Sequence, residues 1–181
     1  MQTEKKTVIF NERMVYCMQN KTCSFIGHRN VEITTELKEK TKTTVKNLIV
    51  NHGINVFLFG SKSNFNELCL KVVSELKTIY PAIKRVYVRS SYPVIQKQYE
   101  KYLLELYDDT YIPKGIQSAG RASYVERNRE MINKSDFVVF YYNENYRPPS
   151  KNTAKSGTKL AYEYAVKKCK AVINIREIIH L

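Results

Sequence analysis

Three glycine-centred clusters carry the residue types that hold anions: Gly27-His28-Arg29, Gly60-Ser61-Lys62-Ser63-Asn64 and Ser156-Gly157-Thr158. Glycine lets a ligand approach the backbone closely. A helix start offers unpaired N–H groups and the positive end of its dipole. Ser156 and Thr158 add hydroxyls at such a start, and the planar fork of Arg29 matches a phosphate. Together they describe a site for a phosphate- or nucleotide-sized anion. The chain has neither a G-x-G-x-x-G fingerprint nor a Walker lysine motif, so a standard dinucleotide site or P-loop finds no support.

Each residue also has a structural reading that the sequence leaves open. Gly27 serves equally as a tight strand exit, His28 as a satisfied structural histidine, and Ser156-Gly157-Thr158 as a simple N-cap. Tyr142 follows the most apolar strand, where it stacks on a base or sugar, or fills the core or its rim. Glu67 and Glu163 lie one or two turns inside helices near the clusters, within reach of a ligand there, whereas Asp136 reads as a turn cap. Glu126, Arg127 and Arg129 read as a solvated charged helix face.

These clusters punctuate an alternation of strands and helices. Thr22–Ile26, Ile54–Phe59, Arg85–Val88, Phe137–Tyr141 and Ala171–Ile175 are short apolar runs, with a further possible strand near Tyr111-Ile112. Helical spacing places Leu37, Thr41, Val45, Leu48 and Ile49 on one face over 34–52, stopped by Gly53, and Leu68, Val72, Leu76 and Ile79 on one face over 65–80. Further helices are expected over 94–106 after Pro93, over 123–133 with Ser123 and Glu126 as a capping box, and over 157–168. Strands apolar on both sides, alternating with helices, imply an α/β fold: a mostly parallel, Rossmann-like sheet with helices on both faces. Right-handed crossovers put every strand's C-terminal end on one edge, where such sheets bind ligands. Residues 1–17 read as an N-terminal extension, and 18–181 as a single domain.

With 43% hydrophobic and 26% charged residues in 181, the chain can bury a real core and is not globally disordered. No apolar run reaches the roughly 18 residues of a membrane span. Cys17, Cys23, Cys69 and Cys169 form no C-x-x-C pair. They read as neutral thiols of a reducing compartment, and a soluble, cytoplasmic protein without a metal site is expected. The net charge of +13 comes from 21 lysines and 9 arginines spread over every segment. It fits either a polyanionic partner or the lysine-, asparagine- and isoleucine-rich coding of an AT-rich genome.

The strand end Cys23-Ser24-Phe25-Ile26-Gly27-His28-Arg29 resembles the "TGHR" motif of the SLOG superfamily (SMF/DprA and LOG-like proteins), in its YpsA-like branch. Phe57-Leu58-Phe59-Gly60 running on to Phe65-Asn66-Glu67-Leu68-Cys69 is similar to the second motif. Ser135-Asp136-Phe137-Val138-Val139 and Ser156-Gly157-Thr158, with Ala161 beyond, are similar to the last two. The resemblance runs in order from about Thr22 to Ile175. It implies a Rossmann-like fold and a nucleotide or nucleotide-derived ligand. Two departures matter. Ser61, Lys62, Ser63, Asn64 and Asn66 stand where the second motif is richer in glycine and carries an aspartate. Ala161 stands where LOG enzymes carry a glutamate, so the carboxylate that assists glycosidic cleavage is missing there.

The functional expectation is therefore the binding, or sensing, of a nucleotide-type small molecule by Gly27, His28, Arg29, Gly60, Ser61, Glu67, Tyr142, Ser156, Gly157 and Thr158. Two alternatives remain. One is an N-glycosidase with Glu67 or Glu163 as acid/base. The other is a DprA-like DNA-binding module driven by the positive charge. A homo-oligomer is compatible with either.

Overall fold

The computed structural model describes residues 20–90, 97–116, 119–147 and 156–177. The N-terminal extension, the Pro93 helix start and residues 148–155 lie outside the described residues. Six strands, β1 (Lys21–Gly27), β2 (Ile54–Phe59), β3 (Lys84–Val88), β4 (Asp109–Tyr111), β5 (Phe137–Tyr141) and β6 (Ala171–Asn174), form one sheet in the order β4-β3-β2-β1-β5-β6. Every pairing is parallel. The chain steps outward from β1 to β4, then returns to lay β5 on the other side of β1. The direction of winding reverses between β1 and β5, and sheets of this topology bind ligands outside the strand ends at that point.

Alternation along the strands divides the core into two layers. Cys23, Phe25, Phe57, Phe59 and Tyr87 face α1 (Thr35–His52), α2 (Asn64–Lys77) and α3 (Lys97–Leu106). Ile26, Leu58, Val86, Val138 and Phe140 face α4 (Ser123–Lys134) and α5 (Gly157–Lys167). Thr34 caps α1 by accepting from the Leu37 N–H at 3.1 Å, and Gly53 ends it at φ 69°, a conformation glycine adopts without penalty. Thr41 is tolerated on the buried stripe of α1 because its hydroxyl donates to the Leu37 carbonyl at 2.7 Å.

Three local expectations change. α2 stops at Lys77 and Ile79 lies beyond it, 66% exposed, because the chain turns on the Leu76 carbonyl ahead of Pro81. The capping box of α4 does not form. A 3-10 turn, Gly120–Ala122, runs straight into the helix, and Ser123 is its buried first residue. Glu126 pairs instead with Arg129 at 2.7 Å. β4 occupies Asp109–Tyr111, slightly earlier than Tyr111-Ile112 suggested.

Candidate functional site

At the switch point, Gly27 ends β1 opposite Tyr141 of β5. A Cβ on Gly27 would stand 2.4 Å from Phe65 Cδ1, so this glycine admits the first turn of α2 against the strand end. His28 turns to the α4/α5 layer. It is buried, and its Nε2 lies 3.0 Å from the Asn143 nitrogen, tying the exit of β1 to the exit of β5. Tyr142 is also buried. Its ring stacks on Tyr162 at 4.4 Å, and Asn174 brackets its backbone with hydrogen bonds of 3.1 and 3.0 Å. That ring face is committed to the core. Arg29 stands exposed at the rim.

The second cluster divides between the layers. Gly60 is packed under α4: a Cβ there would meet Met131 Sδ at 2.6 Å and Arg127 Nε at 2.8 Å. The hydroxyls of Ser61 and Ser63 lie 3.0 Å apart, and Ser63 caps α2 through the Asn66 N–H at 3.2 Å. Glu67 sits exposed in the first turn of α2, in the opposite layer from His28. Lys62 reaches sideways over the Tyr99 ring, 4.3 Å from its centroid. The hydroxyls of this loop thus hold α2 in place, and Gly60 opens toward α4.

The third cluster begins α5. Ser156 caps it, accepting from the Lys159 N–H at 3.2 Å. Thr158 is buried, and Gly157 is exposed, with no heavy atom of the described residues within 4 Å of where its Cβ would be. Ala161 faces Ile26 and Tyr142 in the core, so α5 packs on the same side of the sheet as His28 and Arg127. The structure therefore gathers Gly27, His28, Gly60 and Tyr142 at the ends of adjoining strands and places the start of α5 in the same layer. Glu67 and Ser61 go with α2, and Arg29 stays at the rim.

One residue is not what its sequence suggests. Arg127 is 5% exposed, on the stripe Ser123-Arg127-Met131 that α4 turns to the sheet. Its Nη2 and Nε reach the neutral Asn128 side-chain oxygen at 3.0 and 3.3 Å, and its guanidinium lies 5.7 Å from the Tyr124 ring centre. No carboxylate pairs with it among the described residues. Burial pushes its pKa down, while Tyr87 and Tyr124 push it up; a guanidinium stays charged regardless. The solvated-face reading of Arg127 is thus corrected, although Arg129 and Glu126 do lie outside. The legible signal was the four-residue spacing from Met131, which places Arg127 on the buried line. The Ser123 hydroxyl on this stripe is fully buried and has no partner among the described residues.

A groove of about 720 Å³ lies elsewhere, between the outer side of α4, Tyr164 of α5 and the segment Tyr111–Ile116 after β4. Its floor is at the β4 margin, three strands from the switch point. Glu126–Arg129 and Glu130–Lys134 ion pairs of 2.7 and 3.0 Å line its α4 side. Among the described residues no cluster suits a metal ion, and no helix is long and apolar enough to cross a membrane.

The chain matches no protein-family model and no curated protein. Among solved structures it is similar in fold to the molybdenum cofactor carrier protein of Chlamydomonas reinhardtii. One structure of that protein gives 15% identity over 85% of this chain and 74% of that chain, with a TM-score of 0.46. A second gives 15% identity over 85% and 75%, with a TM-score of 0.48. TarJ of S. aureus, in complex with NADPH, is 14% identical over 80% of this chain and 46% of that one, with a TM-score of 0.41.

Proposed function

We propose that this protein binds a nucleotide or nucleotide-derived small molecule at the C-terminal edge of its sheet and works as a binder or sensor. The observation that carries this reading is Arg127: a buried guanidinium beside Gly60, paired with no carboxylate among the described residues. Burying a charge without its counter-charge is unfavourable, and an anionic ligand relieves that cost. The start of α5, where none of the described residues crowds Gly157, supplies further donors for phosphate on the same side of the sheet. His28 ties the exits of β1 and β5 between them. The order of the motifs supports membership of the SLOG superfamily, in its YpsA-like branch.

Binding without turnover is favoured over N-glycoside hydrolysis. Cleavage needs a positioned group to protonate the leaving base or to activate water. Ala161 is buried in the core, and Glu67 sits exposed in the other layer. At a helix start the ionised form of Glu67 is favoured, which suits it poorly to act as an acid. The deciding experiment is native mass spectrometry of protein purified from cells, followed by calorimetry with AMP, GMP, CMP and UMP. A co-purified nucleotide mass, or saturable binding of one of the four, supports the reading. Neither a bound species nor any affinity overturns it.

A further inference from the structure

His28 is 3% exposed, with its ring 4.0 Å from Tyr146 at 24° and 6.0 Å from Tyr142. Nε2 lies 3.0 Å from the Asn143 nitrogen and 3.3 Å from the Asn143 oxygen. A backbone amide only donates. A proton on Nε2 would set two hydrogens against each other across the shorter contact. Nε2 is therefore the bare, accepting nitrogen, and the neutral ring carries its proton on Nδ1. Burial lowers the pKa of His28, the contact with Asn143 opposes this, and Arg176 on the turn after β6 adds to the lowering, which favours the neutral ring. Nδ1 is buried and has no hydrogen-bond partner among the described residues. Buried N–H groups without an acceptor are rare because the lost hydration is not replaced.

Asn143 thus does two things to His28. It holds the ring at the switch point, and it decides which nitrogen has a proton to give. We propose that His28 is the specificity residue of this site, donating its Nδ1–H to an acceptor oxygen of the bound nucleotide. This rests on the nucleotide reading of the site and adds the atom that selects within it. A phosphate oxygen and a carbonyl oxygen of the base present the same acceptor chemistry. A ligand offering only a donor at this position is rejected, because two hydrogens would then face each other.

Nitrogen NMR of the histidine rings tests this without any variant. In the ligand-free protein the expected His28 signals are those of the Nδ1–H tautomer, and the Nε2–H tautomer would overturn the inference. Inorganic pyrophosphate, AMP and UMP are then added, with binding followed by calorimetry. A shift at Nδ1 with pyrophosphate and AMP identifies a phosphate oxygen, and a shift with UMP alone identifies the base carbonyl; either supports the inference. Binding that leaves Nδ1 unmoved refutes this inference alone. Failure of these three and of GMP and CMP to bind refutes the nucleotide reading and its ligand contact together; where only GMP or CMP binds, a shifted Nδ1 supports the inference and an unmoved one refutes it. Two substitutions separate the nitrogens: His28→Asn keeps an N–H near Nδ1, and His28→Gln keeps an acceptor near Nε2. The expected loss of affinity is roughly tenfold or more for His28→Gln and smaller for His28→Asn. A purely structural histidine gives the reverse order, because losing the tie to Asn143 then does the greater damage.

Discussion

Replacing Arg127 with methionine should strengthen the fold and weaken binding. Methionine keeps an unbranched side chain of similar reach under Gly60 and beside Met131, so the packing of α4 survives. What disappears is a guanidinium 5% exposed whose hydrogen-bonding partner is the neutral Asn128 amide. Buried charge networks replaced by apolar residues of similar volume typically gain about 1–4 kcal/mol. Here the lost Asn128 hydrogen bonds and the Tyr124 contact offset part of that, each worth about 1 kcal/mol. Because no carboxylate among the described residues shares this charge, the gain lies at the upper end of that range, about 3–4 kcal/mol, and an offset of about 2 kcal/mol leaves about 1–2 kcal/mol of added stability. At roughly 2–4 °C per kcal/mol for a chain of this size, the melting temperature should rise by about 2–8 °C. A charge-assisted pair with a phosphate contributes about 3 kcal/mol, so affinity for AMP should fall roughly 100-fold. Scanning calorimetry and titration calorimetry on the same sample read both effects. A variant that melts lower than the wild type yet binds AMP equally well would refute the reasoning and make Arg127 a structural residue.

Gly157→Val should leave unfolding cooperative, since none of the described residues lies within 4 Å of the new Cβ, while nucleotide binding in calorimetry is abolished. Gly27→Ala should instead destabilise by about 1–3 kcal/mol, because its Cβ would fall 2.4 Å from a buried Phe65 ring; chemical denaturation measures this. At the opposite end of β3, burial raises the Asp108 pKa, but hydrogen bonds and charge from Arg85, then Lys77, outweigh it and hold it at about 2. Its contribution is full above the usual carboxylate range and is lost as pH falls from about 4 towards 2. Asp108→Asn should therefore cost about 1 kcal/mol at pH 7, discounted for solvent exposure, and progressively less as pH falls through about 2 in urea titrations. Incubation of AMP, GMP, CMP or UMP with excess protein should release no free base by chromatography. Base release that is lost in Glu67→Gln would make Glu67 catalytic.

The sequence by itself determined the layered fold and the edge on which to look. Continuous apolar runs such as Val138-Val139-Phe140 bury both faces of a strand, as in a parallel sheet covered on both sides. Gly53 stopped α1 and Ser63 started α2 by local chemistry that needs no tertiary information. Tertiary structure decided which layer each site residue joins. Gly27 and Gly60 look alike in sequence, yet one admits Phe65 of α2 and the other Arg127 of α4, because the sheet presents them to opposite layers. The same holds for Arg127 against Arg129. Two residues apart on one helix, they carry the same charge; spacing puts Arg127 on the line of Met131, and the docking of α4 on the sheet buries that line and leaves Arg129 in solvent. The bare Nε2 of His28 depends on an amide 115 positions along the chain. Spacing along a chain encodes local periodicity, but a hydrogen bond across a switch point exists only once two distant strands lie side by side.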